Sequence, residues 1–304
     1  MYNWRVVYLR PEREGVVPAS EAWIPEARRR LVDDHFPWDE VGTRPEMWED
    51  RLSEVYRWLE QHSALYRLIA TGLLARVEPI LDQLQAAVLE VEPDRLFVKV
   101  DASHITKSPE SILEKMARKW PGLEQAPPVS FHNVDQLNDL GRFRIVANFL
   151  GDVDDITRHL SEPYDARKAS LLTPAQRLLR DEFTLHDNRF EDLILVPPNS
   201  RTSGERCRKG RFSPRQPELR GHQVEVQIVT LLQEAWDKKD HCLIYERVRR
   251  GEHVPLMHQI ICTDLSAQLF VADSQFEQLR REGLPRREES TGTSELQENQ
   301  RAPA

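Results

Sequence analysis

The chain of 304 residues predicts an α+β fold: a mixed β-sheet flanked by helices, with a helical segment ahead of it. Three observations predict it. Between Glu21 and Glu90 apolar residues recur at three- and four-residue steps, the period of one helix face. Beyond residue 95, short apolar or alternating runs take turns with helix-periodic stretches, the pattern of a sheet covered by helices. A hydrophobic content of 39 % over this length suffices for one substantial core or two modest ones.

The elements follow in order. Residues 1–20 read as an irregular or single-strand lead, with Val6-Val7-Tyr8-Leu9 its only strand-like run. The helical period is clearest in Trp48, Leu52, Val55, Tyr56 and Leu59, and again from Leu65 through Leu89. Pro79 is expected to kink or split the helix over Ala64–Glu90, because it lacks an N–H and crowds the preceding turn. Leu96 to Val100 reads as a strand. Ser108 then caps a helix reaching Lys119, with Pro109 in its first turn. Arg142 to Leu150 is a strand and Gly151 to Leu160 a helix. Leu193 to Val196 and Gln223 to Val229 are strands, and Arg201 to Arg220 is a basic loop between them. Thr230 to Arg249 and Pro255 to Arg281 are helices. The polar stretch after Glu282 has little with which to build a core and reads as disordered. These readings divide the chain into a helical segment (1–94), a central domain (95–250), a C-terminal helix (251–281) and a tail (282–304).

Bulk properties narrow the function. A net charge of −8 argues against a general nucleic-acid coat, which needs excess positive charge, but leaves room for a local basic patch. Three cysteines (Cys207, Cys242, Cys262) without a pairing or zinc-like spacing suit a reducing cytoplasm. No leader-like segment opens the chain, and no apolar run is long enough to span a bilayer, so no membrane partner is expected.

Two acidic stations carry the chemistry. One is Asp139, before the Arg142–Val146 run; the other is Glu225, in Val224-Glu225-Val226-Gln227-Ile228. Each sets a carboxylate beside a predicted strand with basic residues close by. Such a pair can hold Mg2+ between itself and nucleotide phosphates. In the second strand Gln223, Glu225 and Gln227 share one face and the valines the other, so a polar face can line a cleft while an apolar one fills the core. Lys107 stands before the helix start, and Ser111 and Lys115 share a face of that helix, whose first N–H groups add to anion binding. Arg144 and Arg189 supply guanidinium groups for phosphate, which they can hold in a bidentate manner. His241 and Tyr245 lie four apart on one helix face, and Trp236 reads as core.

Four blocks in order (Thr106–Lys115, Asp139–Val146, Arg189–Pro197, and Glu225–Ile228 with Trp236, His241 and Tyr245) resemble the synthetase domain of the RelA/SpoT family, over roughly Phe97–Glu246. The resemblance implies a nucleotidyltransferase-like sheet and an ATP-dependent pyrophosphokinase of guanosine-alarmone metabolism, acting on GDP or GTP. It assigns Asp139 to magnesium, with Glu225 the candidate second carboxylate, as general base or metal partner. The candidates for ATP contacts are Lys107, Ser111, Lys115, Arg144 and Arg189, and those for the acceptor are Gln227, Arg211, Phe212 and His241.

The chain departs from the family pattern where the acceptor binds. The Gly-Tyr-x-Ser-x-His segment has no counterpart between Arg201 and Arg220; its nearest echo is Gly210-Arg211-Phe212-Ser213, with Phe212 the one aromatic face available to stack on a base. Three family basic residues are replaced by Ile105, Pro198 and Val229. Two other readings therefore stay open. The chain could be an inactive nucleotide-binding or regulatory member. It could also be a toxin-like pyrophosphokinase for which the seven basic residues of Arg201–Arg220 carry the 3′ end of a tRNA. Assembly into a homo-oligomer is likewise left open. The upstream histidine–aspartate hydrolase domain of long family members is not expected, since no His-x-x-x-His-Asp cluster stands ahead of the first block.

Overall fold

The structure, a computed structural model, describes residues 23–93, 95, 98–195, 204–249 and 252–283. The expected lead strand at Val6–Leu9, the tail, Leu96, Val196, Pro198 and Arg201 lie outside the described residues.

The described chain is a mixed sheet with helices packed on one face and a helical subdomain at one end. Helices α1 (Trp23–Asp34), α2 (Trp38–Val41) and α3 (Trp48–Val91) come first, then strand β1 (Val98–Asp101) and helix α4 (Pro109–Arg118). Strand β2 (Gly141–Ala147), helices α5 (Leu150–Ser161) and α6 (Pro174–Glu182) and the short strands β3 (Phe183–Leu185) and β4 (Glu191–Asp192) follow. Strands β5 (Arg208–Pro214) and β6 (Val224–Thr230) complete the sheet. Helix α7 (Leu231–Asp240), a π-turn over His241–Tyr245, α8 (Glu246–Arg249) and α9 (Leu256–Gly283) close the described chain. The strand order is β1-β2-β6-β5-β3, with β4 also on β5; β2 and β6 are parallel and the other pairs antiparallel.

Helix α3 ties the molecule together. At 44 residues it is about 66 Å long. Val55 and Leu59 join α1 and α4 in a helical core, whereas Leu73, Val77 and Ile80 pack beneath the sheet against Phe143, Ile145 and Val226. Pro79 does not split it. Pro79 and Ala75, whose carbonyl loses its partner, are both exposed, so water can take the broken rung while Val77 and Ile80 hold the inner face.

Two further expectations change. Of the predicted strand Leu193–Val196, the described residues 193–195 are not strand; the strand lies earlier, at Glu191–Asp192, and Leu193 adds one backbone bond to Cys207 O. The Asp192 carboxylate accepts from the backbone N–H groups of Ile194 and Leu195, diverting the chain out of the sheet. The middle of the predicted basic loop is strand β5, because it lies between β6 and β3 and both supply its backbone partners. The predicted helix over Thr230–Arg249 is real but relaxes into the π-turn at His241.

Candidate functional site

Alternation in three neighbouring strands gives the sheet two unlike faces. On the inner face Phe143 and Ile145 stand beside Val226 and Ile228, all buried. On the outer face the register sets Arg142 beside Glu225 and Glu225 beside Arg211; the next row is Arg144, Gln227 and Lys209. Neighbouring strands lie about 4.8 Å apart, so these rows form one charged surface.

A continuous polar chain crosses it. Asp237, on α7, pairs with Arg144 at 2.8 Å. The Arg144 guanidinium donates to Gln227 Oε1 at 2.9 Å, and Gln227 Nε2 donates to Glu225 Oε1 at 2.7 Å. Lys209 stands 4.0 Å from Glu225 and donates to Glu205 at 3.1 Å. Burial works against both cations. The Asp237 carboxylate outweighs it at Arg144, and Glu225 with Glu205 outweighs it at Lys209, so both pKa values are raised. The side chains of Arg142, Arg189 and Arg211 make no hydrogen bond or ion pair within 4 Å to another described residue, which leaves three guanidinium groups available to an anion.

Asp139 stands three residues upstream of Arg142, at the foot of β2. Lys107 and Lys115 approach its two carboxylate oxygens at 2.7 Å each. Two local devices place the lysines. The Lys107 backbone N–H donates to Leu140 O, stitching the segment before α4 onto β2. Ser108 caps α4 by accepting from Ser111 N, which fixes the turn carrying Ser111 and Lys115. Burial alone would raise the Asp139 pKa; the two ammonium groups outweigh it and hold the carboxyl well below the ordinary range. Burial lowers the Lys107 pKa against the pull of Asp139. Asp139 Oδ1 is buried and meets Lys115 without hydrogen-bond alignment, so it keeps coordinating capacity.

Asp139 and Glu225 are each the ligand type that suits a hard divalent cation bringing ligands of its own. Mg2+ takes one or two carboxylates together with phosphate oxygens and water. Among the described residues no three His, Cys, Asp or Glu side chains gather into a closed cage.

The remaining predicted residues fall elsewhere. Arg189 lines a cavity of about 520 Å3 with His186, Asp187, Glu191, Lys209 and Arg211, so Lys209 and Arg211 join this cavity to the charged face. His241 is exposed, pairs with Glu246 at 3.5 Å and packs its ring on Tyr245, whose hydroxyl accepts from Arg118 of α4. Its contacts thus run toward α4 and α8. Trp236 is core, as expected, donating to Cys262 O.

Phe212 is a correction. Its side chain is 0 % exposed, on the inner face between Tyr164 and Phe190, and it cannot stack on a base. In β5 the even positions Gly210, Phe212 and Pro214 face inward, so Arg211 reaches the site only because Phe212 does not.

The basic cluster around Phe212 is also largely committed. Arg206 is buried and donates to Ile194 O, Arg208 pairs with Asp154 and Asp192, and Arg215 donates to Arg180 O and Phe183 O. Sequence reasoning overlooked Arg142, Glu205 and Asp237 as site residues, and read Lys209 only as part of the basic loop. The two-residue step from Arg142 to Arg144 was a usable signal; Glu205 and Asp237 join only through tertiary packing.

Fold and charged face together define an α+β domain with one helix-covered and one open, ionic sheet surface. No family profile and no curated protein matches the sequence. Solved structures similar to it include small alarmone synthetase 1 from Bacillus subtilis bound to its product pppGpp, at 20 % identity and a TM-score of 0.49 over 74 % of this chain and 97 % of that one. The same synthetase bound to AMPCPP aligns at 19 % identity and 0.44 over 75 % and 97 %. A GTP pyrophosphokinase family protein from Streptococcus pneumoniae aligns at 17 % and 0.41 over 70 % and 93 %. No helix among the described residues is long and apolar enough to cross a membrane.

Proposed function

We propose that this chain is a pyrophosphokinase that transfers the β,γ-diphosphate of ATP to the 3′-hydroxyl of a guanine nucleotide. The observation that carries the reading is the open sheet face, where Glu225 stands between Arg142 and Arg211 with Arg144 and Lys209 in the next row. A triphosphate needs several cations around it and a dry, fixed geometry. Lys107, Lys115 and the Ser111 hydroxyl supply one end of an ATP site. Arg144 supplies its middle, and Arg189 with Arg211 the side facing the larger cavity, where Gln227 would help orient the acceptor.

In the reaction the 3′-oxygen attacks the β-phosphorus, the bond from that phosphorus to the α,β-bridging oxygen breaks, and AMP leaves. Glu225 accepts the hydroxyl proton; its neighbour Gln227 fixes the carboxylate by donating to Oε1. Mg2+ bound with the nucleotide would neutralise phosphate charge, held by Asp139 and Glu225. When phosphates arrive, Lys107 and Lys115 exchange a carboxylate partner for a phosphate one.

The test is incubation with ATP labelled in its β-phosphate, Mg2+ and GDP or GTP. Label on the acceptor 3′-position with one AMP per transfer is expected, and Glu225→Gln should lower kcat at least a hundredfold. ATP binding without transfer to either nucleotide would instead favour the inactive regulatory reading, for which the missing acceptor tyrosine speaks. The tRNA reading has less support, since Arg206, Arg208 and Arg215 serve the fold.

A further inference from the structure

Three cations share one carboxylate at the foot of β2. Lys107 and Lys115 each stand 2.7 Å from an Asp139 oxygen. The third is Arg142. Burial lowers the Lys107 pKa most, and the charges of Lys115 and Arg142 lower it further, so the guanidinium is close enough to act on that ammonium. Glu225 does not restore the balance. It is the cross-strand neighbour of Arg142, yet its carboxylate accepts from Gln227 Nε2 at 2.7 Å and stands 4.0 Å from Lys209. Among the described residues no hydrogen bond or ion pair reaches the Arg142 side chain.

The fold nevertheless fixes where this cation stands. On one flank the Arg142 N–H donates to Ile105 O at 2.9 Å, and Thr106 bridges Gly141. Glu225 lies on the other flank. Gly141 sets the face. A Cβ there would stand 3.2 Å from Tyr66 O of α3 and 3.2 Å from the Val224 side chain, so the glycine takes the inward station and the arginine the outward one. A half-buried charge without a partner costs stability. Held beside two more cations on an open face, it suits an anion of more than one charge.

Its place says which part of that anion it meets. In the reaction proposed above, ATP phosphates lie at Lys107 and Lys115, and Glu225 takes the acceptor proton. The phosphorus in transit passes between them. Other cations near that path are committed: Lys209 donates to Glu205 at 3.1 Å, and Arg144 pairs with Asp237 at 2.8 Å.

We propose that Arg142 is a catalytic residue that binds the β-phosphoryl group in transit, a role resting on the pyrophosphokinase reading of this site. Its guanidinium donates to non-bridging oxygens as the 3′-oxygen closes on phosphorus and the α,β-bridging oxygen leaves on AMP with the electron pair. The guanidinium keeps its protons and forms no bond to phosphorus. It offsets charge where charge moves.

The experiment compares the full chain with Arg142→Gln and Arg142→Lys in three measurements. Urea unfolding without ligand should give Arg142→Gln a midpoint at or above that of the parent, because the change relieves Lys107. Calorimetry with inorganic tripolyphosphate and a metal chelator should show binding about tenfold weaker for Arg142→Gln and within about threefold of the parent for Arg142→Lys, which keeps the charge. In the label-transfer assay Arg142→Gln should lower kcat at least a hundredfold while KM for ATP rises no more than about tenfold. The proposal is overturned by equal tripolyphosphate affinity in the parent and Arg142→Gln, by a kcat within tenfold of the parent, by a clear loss of stability in Arg142→Gln, or by a lysine variant no better than the glutamine one in either assay. A parent that transfers no label, with the tripolyphosphate difference intact, would instead overturn the pyrophosphokinase reading and reduce Arg142 to an anion ligand.

Discussion

Replacing Asp139 with alanine strips two ammonium groups of their counter-ion. Lys107 is 8 % exposed and cannot turn to water; Lys115, 27 % exposed at its side chain, partly can. At an effective dielectric of about 20, unit charges 2.7 Å apart attract by about 6 kcal/mol, and desolvation of each partner takes back several. The intact pair therefore nets little, but the orphaned lysine keeps its full desolvation cost. Asp139→Ala should cost about 3–5 kcal/mol, a fall in melting temperature of roughly 6–20 °C for a domain of this size.

The pH profile gives a second readout. The folded pKa of Asp139 is depressed, so its contribution is present above the ordinary carboxylate pKa near 4 and is lost as pH falls below it. The variant should lack that part of the acid limb. Adding Lys107→Met should recover much of the loss, since it removes the stranded charge. The assay is urea unfolding of the parent, both single variants and the double variant. Additive losses, or a melting temperature within about 2 °C of the parent for Asp139→Ala, would refute the coupling.

Other outcomes follow from the packing. Phe212→Ala should cost about 3–5 kcal/mol in urea unfolding, whereas Phe212→Leu, which refills the site, should keep nucleotide affinity near that of the parent. A loss of affinity without loss of stability would restore a ligand role for Phe212. Gly210→Ala should destabilise by about 1–3 kcal/mol, because its methyl carbon would sit 2.5 Å from the Phe190 ring; adding Phe190→Leu should recover part of this. Asp273, raised by burial to about 6, binds its proton more tightly folded than unfolded. Stability from this group is thus full below about pH 4 and lost as pH rises through about 6. Asp273→Asn should stabilise by about 1 kcal/mol at pH 7, discounted for solvent screening, and the gain should vanish near pH 4.

Much of the fold can be read locally. The caps at Ser108 and Thr230, the alternation through β2 and β6 and the helical period after Trp48 are short-range properties, and they place α4, α7, both central strands and α3 within a few residues. Asp139 and Glu225 were legible as site candidates because each stands beside a strand whose apolar partners mark the opposite face. Pairing was not legible. The stretch Arg208–Pro214, rich in charge and proline, reads alone as a loop; β6 and β3 make it a strand by satisfying its backbone. Its register then sends Phe212 inward and Lys209 and Arg211 outward, which no local pattern fixes, since a slip of one residue would reverse them. That Pro79 leaves the helix unsplit was not legible for the same reason: the cost of a broken rung depends on whether it faces water. Composition and periodicity thus determine which segments can be helix or strand and which residue types the site has to use. Only the tertiary structure decides which side each charge faces, because that depends on partners distant in sequence, as with Asp237 on Arg144 and Glu205 on Lys209.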